Sequence, residues 1–362
     1  MIRLSVKTLS FGLAALVCLL AVPAGADQIT YEMVTVGNPG NANDPEGTEN
    51  GRVDYSYQIG KYDVTIGQYA AFLNAVAATD TYSLYNASME TDPWVAGISR
   101  TGLSGAYVYS VTGPAGFVPA SGVTAANRPI TYVSWFDAAR FANWMTNGQG
   151  SGSTETGAYT LNGATSGNAV AANPGAAFRL PTVNEWYKAA YYAPTLNGGT
   201  GGYYAYATQS NDPPGNIIGS GLNQANYRAP VDNYYSVTQV GGAPLDQNYL
   251  TDVGAFSGSG SFYGTFDQSG NVDQWNDLDG VPDSSRGVRG GWWYLDDPGG
   301  FSAGAGGSTS ADTENYSIGF RLAGPVSNPS SVPEIDPNSI GSVLALIVGS
   351  LGLLERRRLK AS

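Results

Sequence analysis

The chain has 362 residues, 42% hydrophobic and 12% aromatic, enough to bury a substantial core in one large or two ordinary domains. Charged residues make up only 13%, while Gly numbers 49 and Tyr 24, a balance that favours turns, short strands and loops over long solvent-facing helices. The net charge of −12 repels phosphate backbones and anionic lipid surfaces, which excludes nucleic-acid binding through a broad basic face.

In chain order, residues 1–26 read as an export signal. Arg3 and Lys7 supply the positive region, residues 11–22 an apolar run and Ala24-Gly25-Ala26 a small-residue cleavage site. An uncleaved membrane anchor is the alternative, although the run is short for a span of about twenty residues. Cys18, the only cysteine, lies inside this signal, and the chain contains no histidine. The exported body is thus expected to carry neither thiol nor imidazole.

The body reads as one domain, residues 27–326, with three helix candidates. Thr65-Ile66-Gly67-Gln68 is a capping-box pattern followed by Tyr69, Ala70, Leu73, Val76 and Ala77 at helical spacing. Ser134 precedes Trp135, Ala138, Ala139, Ala142 and Met145, with Asp137 in the first turn and Asn147-Gly148 as a stop. Thr182 and Glu185 form another capping box, with Trp186, Ala189 and Ala190 on one face of a short helix. Between them run Gly-, Ser- and Asn-rich loops and short Tyr-rich runs such as 55–60 that alternate like strands. No internal repeat is visible.

Residues 327–337 form a Pro/Ser linker, and 338–362 hold an apolar run from Ile340 to Leu354 followed by Arg356-Arg357-Arg358. Positive charge after an apolar segment stays cytoplasmic, which puts the body across the membrane. The order resembles the PEP-CTERM tripartite sorting signal, with Val-Pro-Glu-Ile at 332–335 in place of Pro-Glu-Pro. That resemblance implies an exosortase-type processing enzyme as partner, export through the inner membrane, and a cell-surface or extracellular body that is transiently membrane-anchored. A plain tail anchor is the alternative. Without the six basic and three acidic residues of the two ends, the 17 basic and 29 acidic residues of the chain leave a body of about −15.

Six words stand in order: Asp63-Val64-Thr65 with Gln68-Tyr69 and Phe72-Leu73-Asn74; Pro129-Ile130-Thr131-Tyr132-Val133-Ser134-Trp135; Phe178-Arg179-Leu180-Pro181-Thr182; Asp267-Gln268-Ser269-Gly270-Asn271-Val272-Asp273-Gln274-Trp275; Arg289-Gly290-Gly291-Trp292-Trp293; and Gly319-Phe320-Arg321-Leu322. Together they resemble the formylglycine-generating enzyme, or sulfatase-modifying factor, domain family. The resemblance implies an α+β class: an irregular, loop-rich sulfatase-modifying-factor variant of the C-type lectin fold with a few short helices.

The family's oxidase carries a cysteine pair that binds copper between the Arg-Gly-Gly and Gly-Phe-Arg words. Here Leu295 stands about where the first cysteine would be. Cu(I) requires a soft thiolate, and the related sulfoxide synthases hold iron with histidines, so neither copper nor iron is expected, nor zinc. Calcium takes hard oxygens, and by position one family calcium site falls on the side chains of Asp267 and Gln274 and the carbonyls of Gly270 and Val272. Gln274 stands where the family usually has Glu. The alternative is that Asp267 and Gln274 only cap a turn.

Arg179, Arg289 and Arg321 could grip an anion, or pair structurally with Glu185 and with backbone carbonyls. Trp292-Trp293-Tyr294 could form a sugar-stacking platform, or pack in the core. Two functions are open: a non-catalytic exported module that binds carbohydrate, exopolysaccharide or a surface protein, and an enzyme with altered, cysteine-independent chemistry. The second could draw only on carboxylates, Tyr, Arg, Lys61 and Lys188, and a carboxylate pair would come from Asp296, Asp297, Asp312 or Glu314. No catalytic residue is assigned.

Overall fold

The computed structural model describes residues 28–113, 125–245, 247–277 and 283–326. The expected export and sorting signals at the two ends lie outside the described residues.

Each of the three capping boxes starts a helix. In α1 (Ile66–Val76) the Thr65 hydroxyl accepts from the Gln68 amide and the Gln68 side chain accepts from the Thr65 amide, at 3.3 and 2.9 Å. In α2 (Trp135–Thr146) Ser134 and Asp137 do the same, and in α3 (Val183–Tyr191) Thr182 and Glu185 do. These reciprocal bonds satisfy amides that no earlier turn can reach.

The helices differ from expectation in their surroundings. In place of one apolar face, α2 buries every residue from Trp135 to Met145, and α3 buries all but Asn184. Polar residues are therefore enclosed, and each finds a partner, as burial demands. Arg140 pairs with Glu155 at 2.8 Å, Asn143 bonds the carbonyls of Thr154 and Tyr159, and Lys188 Nζ donates to the Asn38 carbonyl at 2.8 Å. Burial pushes the Lys188 amine down to about 8.

Two small sheets complete the frame. In the first, β2 (Tyr57–Gly60) lies between β1 (Met33–Val36) and the late strand β7 (Ala323–Pro325), both antiparallel to it. The first and last described strands of the body are thus tied together. The second sheet has the order β5 (Gly307–Ser310), β4 (Ser285–Arg289), β3 (Asp273–Asn276), β6 (Ile318–Gly319), with β6 parallel to β3 and the others antiparallel. Three two-stranded ribbons, four-residue helical turns at Ser88–Thr91 and Leu196–Gly199, two 3₁₀ turns and much loop make up the rest of the described chain. This is the irregular α+β arrangement, with few short helices, that the family resemblance implied.

Strand alternation on β3 positions the site. Trp275 enters the core of α1 and α2, its indole N–H donating to the Val133 carbonyl at 2.9 Å, near rings such as Phe72, Phe141 and Phe320, whose centroids lie 5.4 Å apart in successive pairs. Gln274 and Asn276 point the other way, toward α3.

Candidate functional site

The loop that leads into β3 is tightly turned. Asp267 has φ +59° and accepts from the Gly254 amide at 2.7 Å. Gly270 has φ +79°, and a Cβ there would lie 2.3 Å from the Asn226 carbonyl oxygen, so only glycine fits. Val272 is fully buried. Gln274 is also fully buried; its Oε1 accepts from Trp186 Nε1 and Arg321 Nε, both at 2.6 Å, and its Nε2 donates to the Asp267 carbonyl at 2.7 Å. Arg321 spends its remaining donors on the Gly60 carbonyl at 3.0 Å, Asp63 Oδ1 at 2.8 Å and the Phe266 carbonyl at 2.7 Å.

The implied calcium set therefore comes together, Asp267, Gly270 and Val272 in the loop that leads into β3 and Gln274 on the strand itself, but it does not fit a calcium ion in this arrangement. The Gln274 oxygen is engaged by two donors, and one of them is a guanidinium whose charge opposes a second cation nearby. Burial pushes the Asp267 carboxyl up to about 6, against the pull of the Gly254 amide and of Arg321. Arg321 is the cation of this loop.

Arg179 is structural in the same sense, holding Glu185 in a fork of 2.6 and 2.5 Å. Arg289 is not: it donates to the Ala305 carbonyl and, at 2.8 Å, to Thr48 Oγ1, and lies over the Tyr187 ring at 5.1 Å.

The interval between the Arg-Gly-Gly and Gly-Phe-Arg words carries an aromatic cluster. Trp293 is 1% exposed, stacked on Tyr249 with centroids 5.0 Å apart, and also meets Tyr235, Trp94, Tyr294 and Tyr316. Trp293 is thus a core residue, Trp292 is half-buried, and Tyr294 and Tyr316 reach the surface at 42% and 37% exposure. The Arg228 guanidinium lies over the Tyr294 ring at 4.9 Å and pairs with Asp296. Among the described residues, the buried indole N–H groups of Trp94, Trp292 and Trp293 have no hydrogen-bond partner. Leu295, where the first cysteine was expected, packs beside Phe301 and Tyr227 as an apolar peg.

The carboxylates named from sequence do not converge. Asp296 pairs with Arg228, Asp297 caps the Gly299 amide at 2.8 Å, Asp312 accepts from Ser310, and Glu314 accepts from Asn86 at 2.5 Å. The residues around the aromatic site, Trp94, Arg228, Tyr235, Tyr249 and Tyr316, were missed because they sit in loops or in two-residue strands too short to show a period; only the surplus of Tyr hinted at them.

The model of the family "Sulfatase-modifying factor enzyme 1-like domain" matches residues 19–325. The chain belongs to this family. No curated protein matches it. Solved structures similar to this sulfatase-modifying-factor domain include Treponema denticola variable protein 1, at 18% identity over 83% of this chain and 97% of that one with a TM-score of 0.48. CarF is similar at 21% identity, over 82% and 99% of the two chains, with a TM-score of 0.42. PvdO from Pseudomonas aeruginosa is similar at 17% identity, over 81% and 94%, with a TM-score of 0.42. Among the described residues, no helix of this domain is long and apolar enough to cross a membrane.

Proposed function

We propose that the chain is an exported, non-catalytic binding module of the sulfatase-modifying-factor family that takes carbohydrate at the cell envelope. The observation that carries this reading is the composition of the interval between the Arg-Gly-Gly and Gly-Phe-Arg words. A copper-binding cysteine pair would be needed there for formylglycine chemistry, and Leu295 is an apolar peg in an interval without cysteine. In place of a redox centre stand two exposed tyrosine rings, Tyr294 and Tyr316, on a buried Trp293 floor, edged by the Arg228–Asp296 pair. Flat rings stack on the apolar face of a sugar, and a charged pair at the edge matches its hydroxyls. Each of the four carboxylates considered for catalysis already has a partner in capping or pairing, which supports the non-catalytic reading.

Export follows from the paired signals at residues 1–26 and 327–362, with an exosortase-type enzyme as processing partner and exopolysaccharide or a surface protein as the binding partner. A glycan array probed with the purified chain tests the binding. Retention of specific glycans, lost in the Tyr294→Ala, Tyr316→Ala double variant, is the expected result. Conversion of a sulfatase-derived cysteine peptide above a no-enzyme control would overturn the non-catalytic reading, and reporter fusions placing the body in the cytoplasm would overturn export.

A further inference from the structure

A second polar cleft lies on the α3 side of β3 and uses none of the residues of the tyrosine face. Strand register puts Gln274 opposite Arg289 and Asn276 opposite Gly287, and directly opposed residues share a face. Asn276 and Arg289 thus turn to the same side, where they line a cleft of about 360 Å³ with Asn50, Val183, Gly306 and Ser308. That volume is at the lower end of the range for small-ligand clefts, about 300–1,000 Å³.

Two features of this cleft call for a ligand. Asn276 is 0% exposed, and among the described residues neither its side-chain nitrogen nor its oxygen has a hydrogen-bond partner. Buried amides are ordinarily satisfied on both atoms. Arg289 is 6% exposed and forms no ion pair with a carboxylate among the described residues. Burial lowers its pKa, against the opposing effect of the neighbouring Tyr191 and Tyr187. Two of the five guanidinium donors are committed, to Ala305 and Thr48. A Cβ on Gly306 would lie 2.8 Å from the guanidinium carbon, so the glycine leaves the room that the charged group occupies.

A guanidinium without a counter-ion selects an oxyanion, and the planar fork suits a carboxylate. The Asn276 amide adds both a donor and an acceptor. A bare inorganic anion uses only the donor, whereas an acid that also bears a hydroxyl uses both.

We propose that the cleft between β3, β4 and α3 binds a hydroxy-carboxylate of the uronic acid class, its carboxylate against Arg289 and Asn276 Nδ2 and a hydroxyl donating to Asn276 Oδ1. The acidity of the body works against long-range capture of an anion, so affinity comes from these local contacts. The assignment does not rest on the tyrosine face, and stands if that face binds nothing.

Isothermal titration of the purified full chain with glucuronate, glucose and sulfate at constant ionic strength tests it, on wild type, Arg289→Gln and Asn276→Asp. Saturable binding of glucuronate, with glucose and sulfate weaker by roughly tenfold or more, is expected, because each lacks one half of the contact set. Asn276→Asp sets the protein's own carboxylate before the guanidinium; it should keep or raise the melting temperature and weaken glucuronate by about tenfold or more. Arg289→Gln should do the same to binding, and if that variant does not fold, Asn276→Asp decides alone. No saturable binding of glucuronate at millimolar concentration means that the cleft holds water only. Sulfate or glucose binding as tightly as glucuronate, or undiminished binding by folded Asn276→Asp, overturns the proposal as well.

Discussion

Arg321 and Arg289 flank the same strand, β3, and are both at least nine-tenths buried, yet they solve the problem of a buried cation in opposite ways. Arg321 has a carboxylate, an amide oxygen and backbone carbonyls around it, with Asp63 at 2.8 Å and Gln274 at 2.6 Å. Arg289 has one carbonyl, one hydroxyl and a ring face, and shares its cleft with an amide that has no hydrogen-bond partner among the described residues. The difference teaches how to separate a structural ion from a candidate binding group: burial is common to both, and completeness of the partner shell is not.

The largest effect should come from Arg321→Ala. It strands Asp63 and Gln274, whose side chains are fully enclosed, and should cost about 3–5 kcal/mol in urea unfolding, as breaking one side of a buried ion pair does. Arg289→Ala removes no carboxylate partner and should cost clearly less. Equal losses would break the comparison.

Titration should sharpen it, because buried carboxyls belong to the packed elements and not to the Arg289 cleft. Asp277, at the end of β3, is pushed up to about 6 by burial, against Arg286 and the Trp135 and Tyr159 bonds, and Asp137 at the start of α2 is pushed up to about 7, also by burial. Both folded values lie above the ordinary one, so the protonated folded form is the favoured state. This stability is complete below about pH 4 and is lost as pH rises through 6 and 7. The melting temperature should fall from pH 5 to pH 8, with a shallower slope in Asp137→Asn; an unchanged slope would count against the assignment.

Asn276→Asp is expected to stabilise the ligand-free chain by about 1 kcal/mol, by giving Arg289 an acceptor, with a matching rise in melting temperature. A fall would show that the Arg289 side has no vacancy for a negative charge.

Calcium gives the smallest expected effect. With Arg321 in the loop, melting temperatures in calcium and in chelator should coincide. A hundredfold excess over Kd would otherwise add about 2.7 kcal/mol, and a calcium-dependent rise abolished by Asp267→Ala would show that the loop takes the ion.

Much of the frame was legible because its signals are local. The three capping boxes need only residues three apart, and each produced its helix with the expected first turn. The run at 55–60 yields β2 from Tyr57 onward. The full burial of α2 and α3 was not legible, since a helix with Arg140, Asn143, Glu185 and Lys188 reads as half-exposed until the loops that cover those residues are known.

What the sequence determined by itself was the family, through six short words in order, and the ligand types that residues 27–326 carry, which include neither thiol nor imidazole, because ligand softness is a property of residue type and needs no coordinates. It also marked Arg179, Arg289 and Arg321 as a group. Only the tertiary structure separated them. Asp63 lies 258 residues from Arg321 along the chain, Gln274 lies 47 from it, and Thr48 lies 241 from Arg289, so whether a buried charge is answered by a carboxylate or left facing a cleft depends on contacts that no local pattern encodes.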